Sequence, residues 1–195
     1  MKQRYFVAFR ANFATIKSME FTTTYIRRLK KRDQQAFSEL YTFLVDRLYR
    51  YLAGRYHLSR GEILDLVGDF FVKLRDRLDR IQENQSVEAW IWTMFRNFVA
   101  DWFKTKKQDR RLDVYDEMVY DEEADPARQA QNNHQLARIY TVLDTLDDLS
   151  REIIILKYVE DLSFESIARI VKLQPDAVRQ RASRAIKKVQ ELLRS

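Results

Sequence analysis

The chain has no cysteine, which excludes disulfides and thiolate metal ligands. Its only histidines, His57 and His134, lie far apart and give no pattern for a structural zinc site. Three glycines and two prolines in 195 residues leave little material for hairpins or a many-stranded sheet. Gly54, Gly61 and Gly68 are scattered, whereas a phosphate-binding loop needs them clustered. No apolar run approaches the roughly 18–20 residues of a membrane span, so membrane insertion is not expected. There is no Ser-His-Asp set and no H-E-x-x-H motif, and the acidic pairs Asp147/Asp148 and Glu122/Glu123 sit in polar stretches. Enzyme is therefore the least favoured class, with no metal and no cofactor expected.

What remains is helix-forming and basic. The net charge is +6 and the sequence pI about 9.5, which favours an anionic partner, nucleic acid first and membrane surface second. Lys2, Arg4, Arg10 and Lys17 occur without an acid before Met19, faintly like a transit peptide. The simpler reading is a short basic extension or an early start codon, and a cytoplasmic protein.

Apolar residues Ala36, Phe37, Leu40, Tyr41, Leu44, Leu48, Tyr51 and Leu52 recur at helical spacing, which predicts one long helix from about Tyr25 to Tyr56. Ser59 followed by Glu62 has the form of a capping box opening a second helix. The apolar face of that helix is Ile63, Val67, Phe70, Phe71, Leu74 and Leu78. A third helix follows Ser86, with Trp90, Ile91, Met94, Phe95, Phe98 and Trp102 on a broad face that reads as core. Thr93, Arg96, Asn97, Asp101 and Lys104 share its other face. From Asp113 to Asn133 the chain is acidic and irregular, as in a linker.

Periodicity returns after about Gln135. "REIIILKYV" carries a β-branched run but reads as a buried helix in its surroundings. Ser163 is placed to cap the next helix, and "KLQP" turns into another that begins at Pro175 and Asp176, a helix-turn-helix pattern. In "DAVRQRASRAIKK" and the valine after it, Val178, Ala182, Ala185, Ile186 and Val189 form one arc. Arg181, Arg184, Lys187 and Lys188 lie opposite, with Gln180 and Ser183 beside them and Arg179 on the flank. No acid is interleaved between Arg179 and Lys188, so these cations repel one another unless an anion neutralises them. Such a second helix fits the DNA major groove and its phosphates.

Three blocks resemble the sigma-70 family, specifically its small extracytoplasmic-function members: "DQQAFSELY", "GEILDLVGDFFVKL" with "AWIWTMFRNFVADWFK", and "SREIIILKYVEDLSFESIARIVKLQPDAVRQRASRAIKKV". The resemblance implies an all-α chain of two small helical domains, a region 2 bundle and a region 4 helix-turn-helix, joined by a flexible acidic linker. The expected divisions are a basic extension over 1–30, region 2 over 31–108, the linker over 109–137 and region 4 over 138–195. It also implies a non-enzymatic factor that joins core RNA polymerase and directs it to promoter DNA, with an anti-sigma factor as a further partner. By motif match, Asp65, Leu66, Val67, Asp69 and Phe71 would dock on the polymerase clamp. Asn97 would meet a flipped base of the −10 element, with Arg96, Asp101 and Lys104 close by. Arg179, Gln180, Arg181, Ser183, Arg184, Lys187 and Lys188 would face the −35 element. Gly68 stands where the family often has glutamine, and Asp147 where it often has proline. Two rivals stay open: a stand-alone helix-turn-helix regulator, and a helical adaptor whose basic face meets acidic protein or anionic lipid.

Overall fold

The computed structural model describes residues 19–82, 86–109 and 141–192, with side chains left aside at 107–109. The basic extension up to Ser18 and the acidic linker beyond Asp109 lie outside these residues. Every regular element among the described residues is helical, in agreement with the all-α expectation. In order they are α1 (Thr23–Lys30), α2 (Gln34–Arg55), α3 (Arg60–Arg75), a short 3-10 turn (Leu78–Arg80) and α4 (Val87–Asp109). Then come α5 (Asp148–Ile154), which runs into a π-helical turn (Ile155–Val159), α6 (Phe164–Val171) and α7 (Pro175–Leu192).

The described residues form two compact units: 19–49, 58–82 and 86–109 make one, and 50–57 with 141–192 make the other. The last turns of α2 thus belong to the C-terminal unit.

The single helix expected from Tyr25 to Tyr56 is two helices, a correction with a local cause. Arg32 adopts a left-handed conformation (φ 58°), and Asp33 then caps α2 by accepting from Ala36 N–H at 2.7 Å. Asp33 also receives a hydrogen bond from Arg28 at 2.8 Å, and Tyr25 Oη donates to the Ala36 carbonyl at 2.7 Å. These bonds fold α1 back as part of the N-terminal unit, with Ile26 and Leu29 buried.

The capping box at the start of α3 is formed in both directions: Glu62 N–H donates to Ser59 Oγ, and Ser59 N–H to the Glu62 carboxylate. Ser86 Oγ caps α4 in one direction, accepting from Ala89 N–H at 3.2 Å. The core of this unit is aromatic. Phe70 is fully buried and stands edge-on to Phe95, ring centroids 4.8 Å apart, with Phe98 at 5.8 Å. Trp92, absent from the apolar face expected for α4, is buried too, whereas Trp90, Phe98 and Trp102 are only half-buried at its margin. The face is rotated because Val99 and Trp92 point inward together.

In the C-terminal unit "REIIILKYV" is helical, as expected, and Ile153 to Leu156 are all buried. Glu152 of this segment and Glu160 just after it are buried as well. Tyr51 Oη donates to Glu152 at 2.9 Å, Arg55 lies 3.4 Å from the same carboxylate, and Arg50 lies 3.4 Å from Glu160. Burial, and then the Glu152 charge, push the Tyr51 hydroxyl pKa well above its ordinary value. Burial alone would lower the Arg55 pKa, but Tyr51, Glu152 and Tyr56 around it outweigh that and raise it. The guanidinium therefore remains charged beside Glu152.

Candidate nucleic-acid and partner interfaces

Three helix faces carry the candidate residues. On α7, Val178, Ala182, Ala185 and Val189 are buried against α5 and α6, which fixes what the rest of the helix shows to solvent. The structure sorts the cations of this helix into two sets. Arg179 reaches back to Glu165 in the first turn of α6 and bonds Asp176 at 2.9 Å. Arg181 bonds Asp147 at 2.9 Å and Ser150 Oγ at 3.2 Å, and Lys188 donates to the Thr145 carbonyl at 2.7 Å. These three flank the buried arc and are tied to neighbouring elements.

Gln180, Ser183, Arg184 and Lys187 are exposed on the opposite side. At about 100° per residue they share one outward arc. Apart from Asp176, three residues from Arg179, the acids that make this division lie 14 and 34 residues away, where the local sequence does not show them.

Asp147 also caps α5, a role its sequence position did not disclose. Hydrogen bonding from Ser150 Oγ, partly offset by burial, joins Ser150 N–H and the Arg181 charge in holding its carboxyl below the usual aspartate range. A depressed folded-state pKa gives a contribution that is whole above the unfolded pKa, about 3.9, and is lost as pH falls through the folded value. Asp147→Asn keeps an acceptor for the cap and loses the charge. Melting temperatures recorded from about pH 7 down to pH 3 should therefore fall less steeply at the acid end for this variant. An unchanged acid slope would remove Asp147 from the account.

On α4, Asn97, Asp101 and Lys104 are exposed along one arc, and Lys104 pairs with Asp101 at 3.2 Å. Arg96 is half-buried and lies about 100° around the helix from Asn97, so it does not share that arc. The helix brings together three of the four residues expected here.

On α3, Asp65 and Asp69 are exposed, but Leu66, Val67 and Phe71 are buried in the core of the N-terminal unit. The motif match expected these three at the polymerase clamp; in the free chain their side chains pack α3 into its own unit. Phe71, for example, packs on Tyr41 with ring centroids 4.5 Å apart. The outward face instead shows Leu64, 50% exposed, and Val72, 57% exposed, which the motif match had passed over. Both stood in plain view in the sequence, since they fall outside the period of the apolar face.

No group of acids and histidines suited to a metal ion occurs among the described residues, and no described helix is long and apolar enough to cross a membrane.

The sequence matches the "Sigma-70 region 2" family over residues 40–109 and "Sigma-70, region 4" over residues 136–189. It is 26% identical to the ECF RNA polymerase sigma factor SigW of Bacillus subtilis, over 87% of this chain and 95% of that protein. In fold it is similar to CnrH, solved in complex with the cytosolic domain of CnrY (TM-score 0.64, 22% identity, 87% of this chain and 95% of that one). It is also similar to the sigma factor RpoE of Bartonella quintana, solved with the anti-sigma factor NepR (TM-score 0.63, 24% identity, 81% of this chain and 96% of that one). With regions 2 and 4 matched in that order over more than half of its length, the chain belongs to the sigma-70 family of RNA polymerase sigma factors, in the ECF group.

Proposed function

We propose that this chain binds core RNA polymerase and directs promoter-specific transcription initiation, with α4 serving the −10 element and α7 the −35 element. The observation that carries the reading is the outward arc of Gln180, Ser183, Arg184 and Lys187 on the second helix of a helix-turn-helix in the part matched as region 4. Arginine reads guanine by two parallel hydrogen bonds, glutamine does the same for adenine, and lysine neutralises phosphate. Exposed Asn97 offers an amide to the edge of an unstacked base, which a buried apolar side chain cannot do. Arg179, Arg181 and Lys188 brace α7 through their bonds to Glu165, Asp147 and Thr145. They stay close enough to the arc to add phosphate contacts at the groove edges.

The polymerase contact is assigned to the outward face of α3, where Asp65 and Asp69 flank exposed Leu64 and Val72. Acids beside apolar groups suit a basic partner helix. The protein acts without catalysis of its own, in the bacterial cytoplasm where the polymerase works. An anti-sigma factor is a further partner, in line with the complex in which the fold relative RpoE was solved.

The test combines the purified chain with core polymerase and a library of promoter fragments. Discrete start sites that require both components are the expected result. Tight sequence-specific duplex binding by the chain alone, without effect on polymerase, would favour a stand-alone regulator. Within the active system, Arg184→Ala should weaken −35-dependent initiation about 10- to 100-fold, the worth of one bidentate base contact, and leave polymerase binding intact. Asn97→Ala should change the −10 base preference; an unaltered profile would remove Asn97 from base reading.

A further inference from the structure

A cavity of about 250 Å³ opens between the start of α5 and one side of α7. Arg181, Arg184 and Lys188 line it from α7, at positions three and four apart that share a helix face. Asp147 and Ser150 line it from the α5 side, so three cations surround one carboxylate. Arg181 bonds that carboxylate at 2.9 Å and Ser150 Oγ at 3.2 Å, while Lys188 turns to the Thr145 carbonyl. A carboxylate oxygen on a guanidinium makes the same charge-assisted bond as a phosphate oxygen. The Asp147 side chain is 61% exposed and the Arg181 side chain 34%. Water therefore reaches the pair, and an exposed pair of this kind holds weakly enough for another anion to replace it. The cap on α5 does not need the charge: Ser150 N–H donates to an Asp147 oxygen, and an amide oxygen would accept equally.

Resting on the reading of α7 as the DNA-facing helix, we propose that Asp147 is an internal stand-in for a backbone phosphate, which a DNA duplex displaces from Arg181 when α7 enters the groove. Affinity for duplex of any sequence comes mainly from cations that neutralise phosphates. An arginine already neutralised by its own chain contributes less, because its pair must break before it meets phosphate. After the exchange the Asp147 carboxylate is left bare at the cavity, beside an incoming phosphate of like charge. Both effects weaken the free chain on DNA in general. Gln180 and Arg184 are spared, since the side-chain bonds of Asp147 go to Ser150 and Arg181. Stable placement then falls to the base contacts of α7 and to the polymerase. Asp147 is thus a residue that sets DNA affinity without itself binding DNA.

The experiment uses the full chain and, as probe, a labelled mixed-sequence duplex of about 20 base pairs, two turns of DNA. Binding is followed by fluorescence anisotropy at about 50 mM salt, where phosphate contacts count most. Asp147→Asn keeps the cap and removes the charge, and it should bind about 2- to 5-fold more tightly, the worth of an exposed pair. Asp148→Asn makes the same charge change one residue away, on an exposed side chain, and should give less than half of that gain. In an Arg181→Gln background, where glutamine can still donate to Asp147, Asp147→Asn should give no more than Asp148→Asn does. Equal gains from the two asparagine variants, no gain from Asp147→Asn, or an Asp147→Asn gain that survives Arg181→Gln would overturn the stand-in. Each of these leaves the DNA face intact if Arg184→Ala still weakens binding. Undiminished duplex binding by Arg184→Ala would instead overturn the DNA face of α7, and the role of Asp147 with it.

Discussion

Replacing Arg55 with alanine is expected to lower the unfolding free energy of the C-terminal unit by about 3–5 kcal/mol, the usual cost of breaking a buried ion pair from one side. The Glu152 side chain has no exposed surface, and the Arg55 side chain is only 12% exposed. Solvent screening is therefore slight, and the charge left on Glu152 would lose the guanidinium that stands 3.4 Å from it while the Tyr51 hydroxyl stays at 2.9 Å. Chemical denaturation of the two proteins, followed by circular dichroism, measures the loss. The companion experiment removes the whole polar set with apolar residues of similar size: Tyr51→Phe, Arg55→Leu and Glu152→Met together. Replacing a buried ion pair with well-packed apolar groups is often neutral or stabilising. The triple variant should consequently be more stable than Arg55→Ala. If Arg55→Ala costs less than about 1 kcal/mol, in the range of exposed surface pairs, the network is not a significant element of this unit.

The second large effect is expected in the N-terminal unit. Phe70→Ala should cost about 3–5 kcal/mol, combining lost burial with the cavity left among Phe95, Phe98 and Phe71. The edge-to-face contact with Phe95 adds to the loss, at about 0.5–1.5 kcal/mol beyond area burial. The consequence reaches function, because Phe70 lies on α3 and Phe95 on α4. It sets the position of the outward face of α3, proposed to dock on polymerase, relative to the arc of Asn97, Asp101 and Lys104 within the same unit. At a temperature where the variant is still folded, both polymerase affinity and −10-dependent opening should fall. Phe70→Leu, which refills part of the space, should recover most of each. Loss of one function with full retention of the other would show that the two faces are not coupled through this ring.

Much of this protein was legible before any coordinates. Helix starts at Ser59 and Ser163 were written in residues that bond only three positions away, so local sequence specified them completely. The buried arc of α7 follows from a period of about 3.6 residues, and it is the same in any helix that packs on one side. The charge of that helix, the shortage of glycine and proline, and the order of the motifs were enough to reach an all-α DNA-binding factor.

Tertiary structure decided the rest, for a uniform physical reason: the missing information lay in partners distant along the chain. Whether Arg181 faces DNA or braces its own helix depends on Asp147. Whether Glu152 and Glu160 can be buried depends on Tyr51, Arg55 and Arg50, about one hundred residues before them. A motif match also cannot tell a side chain that makes a contact from one that holds the contacting helix in place. Leu66, Val67 and Phe71 are buried in the core of their own unit, while Leu64, Gly68 and Val72 on the open side of the same helix face the solvent. Sequence determined which helices form and what kind of partner they suit; packing determined which atoms of those helices are left for the partner to touch.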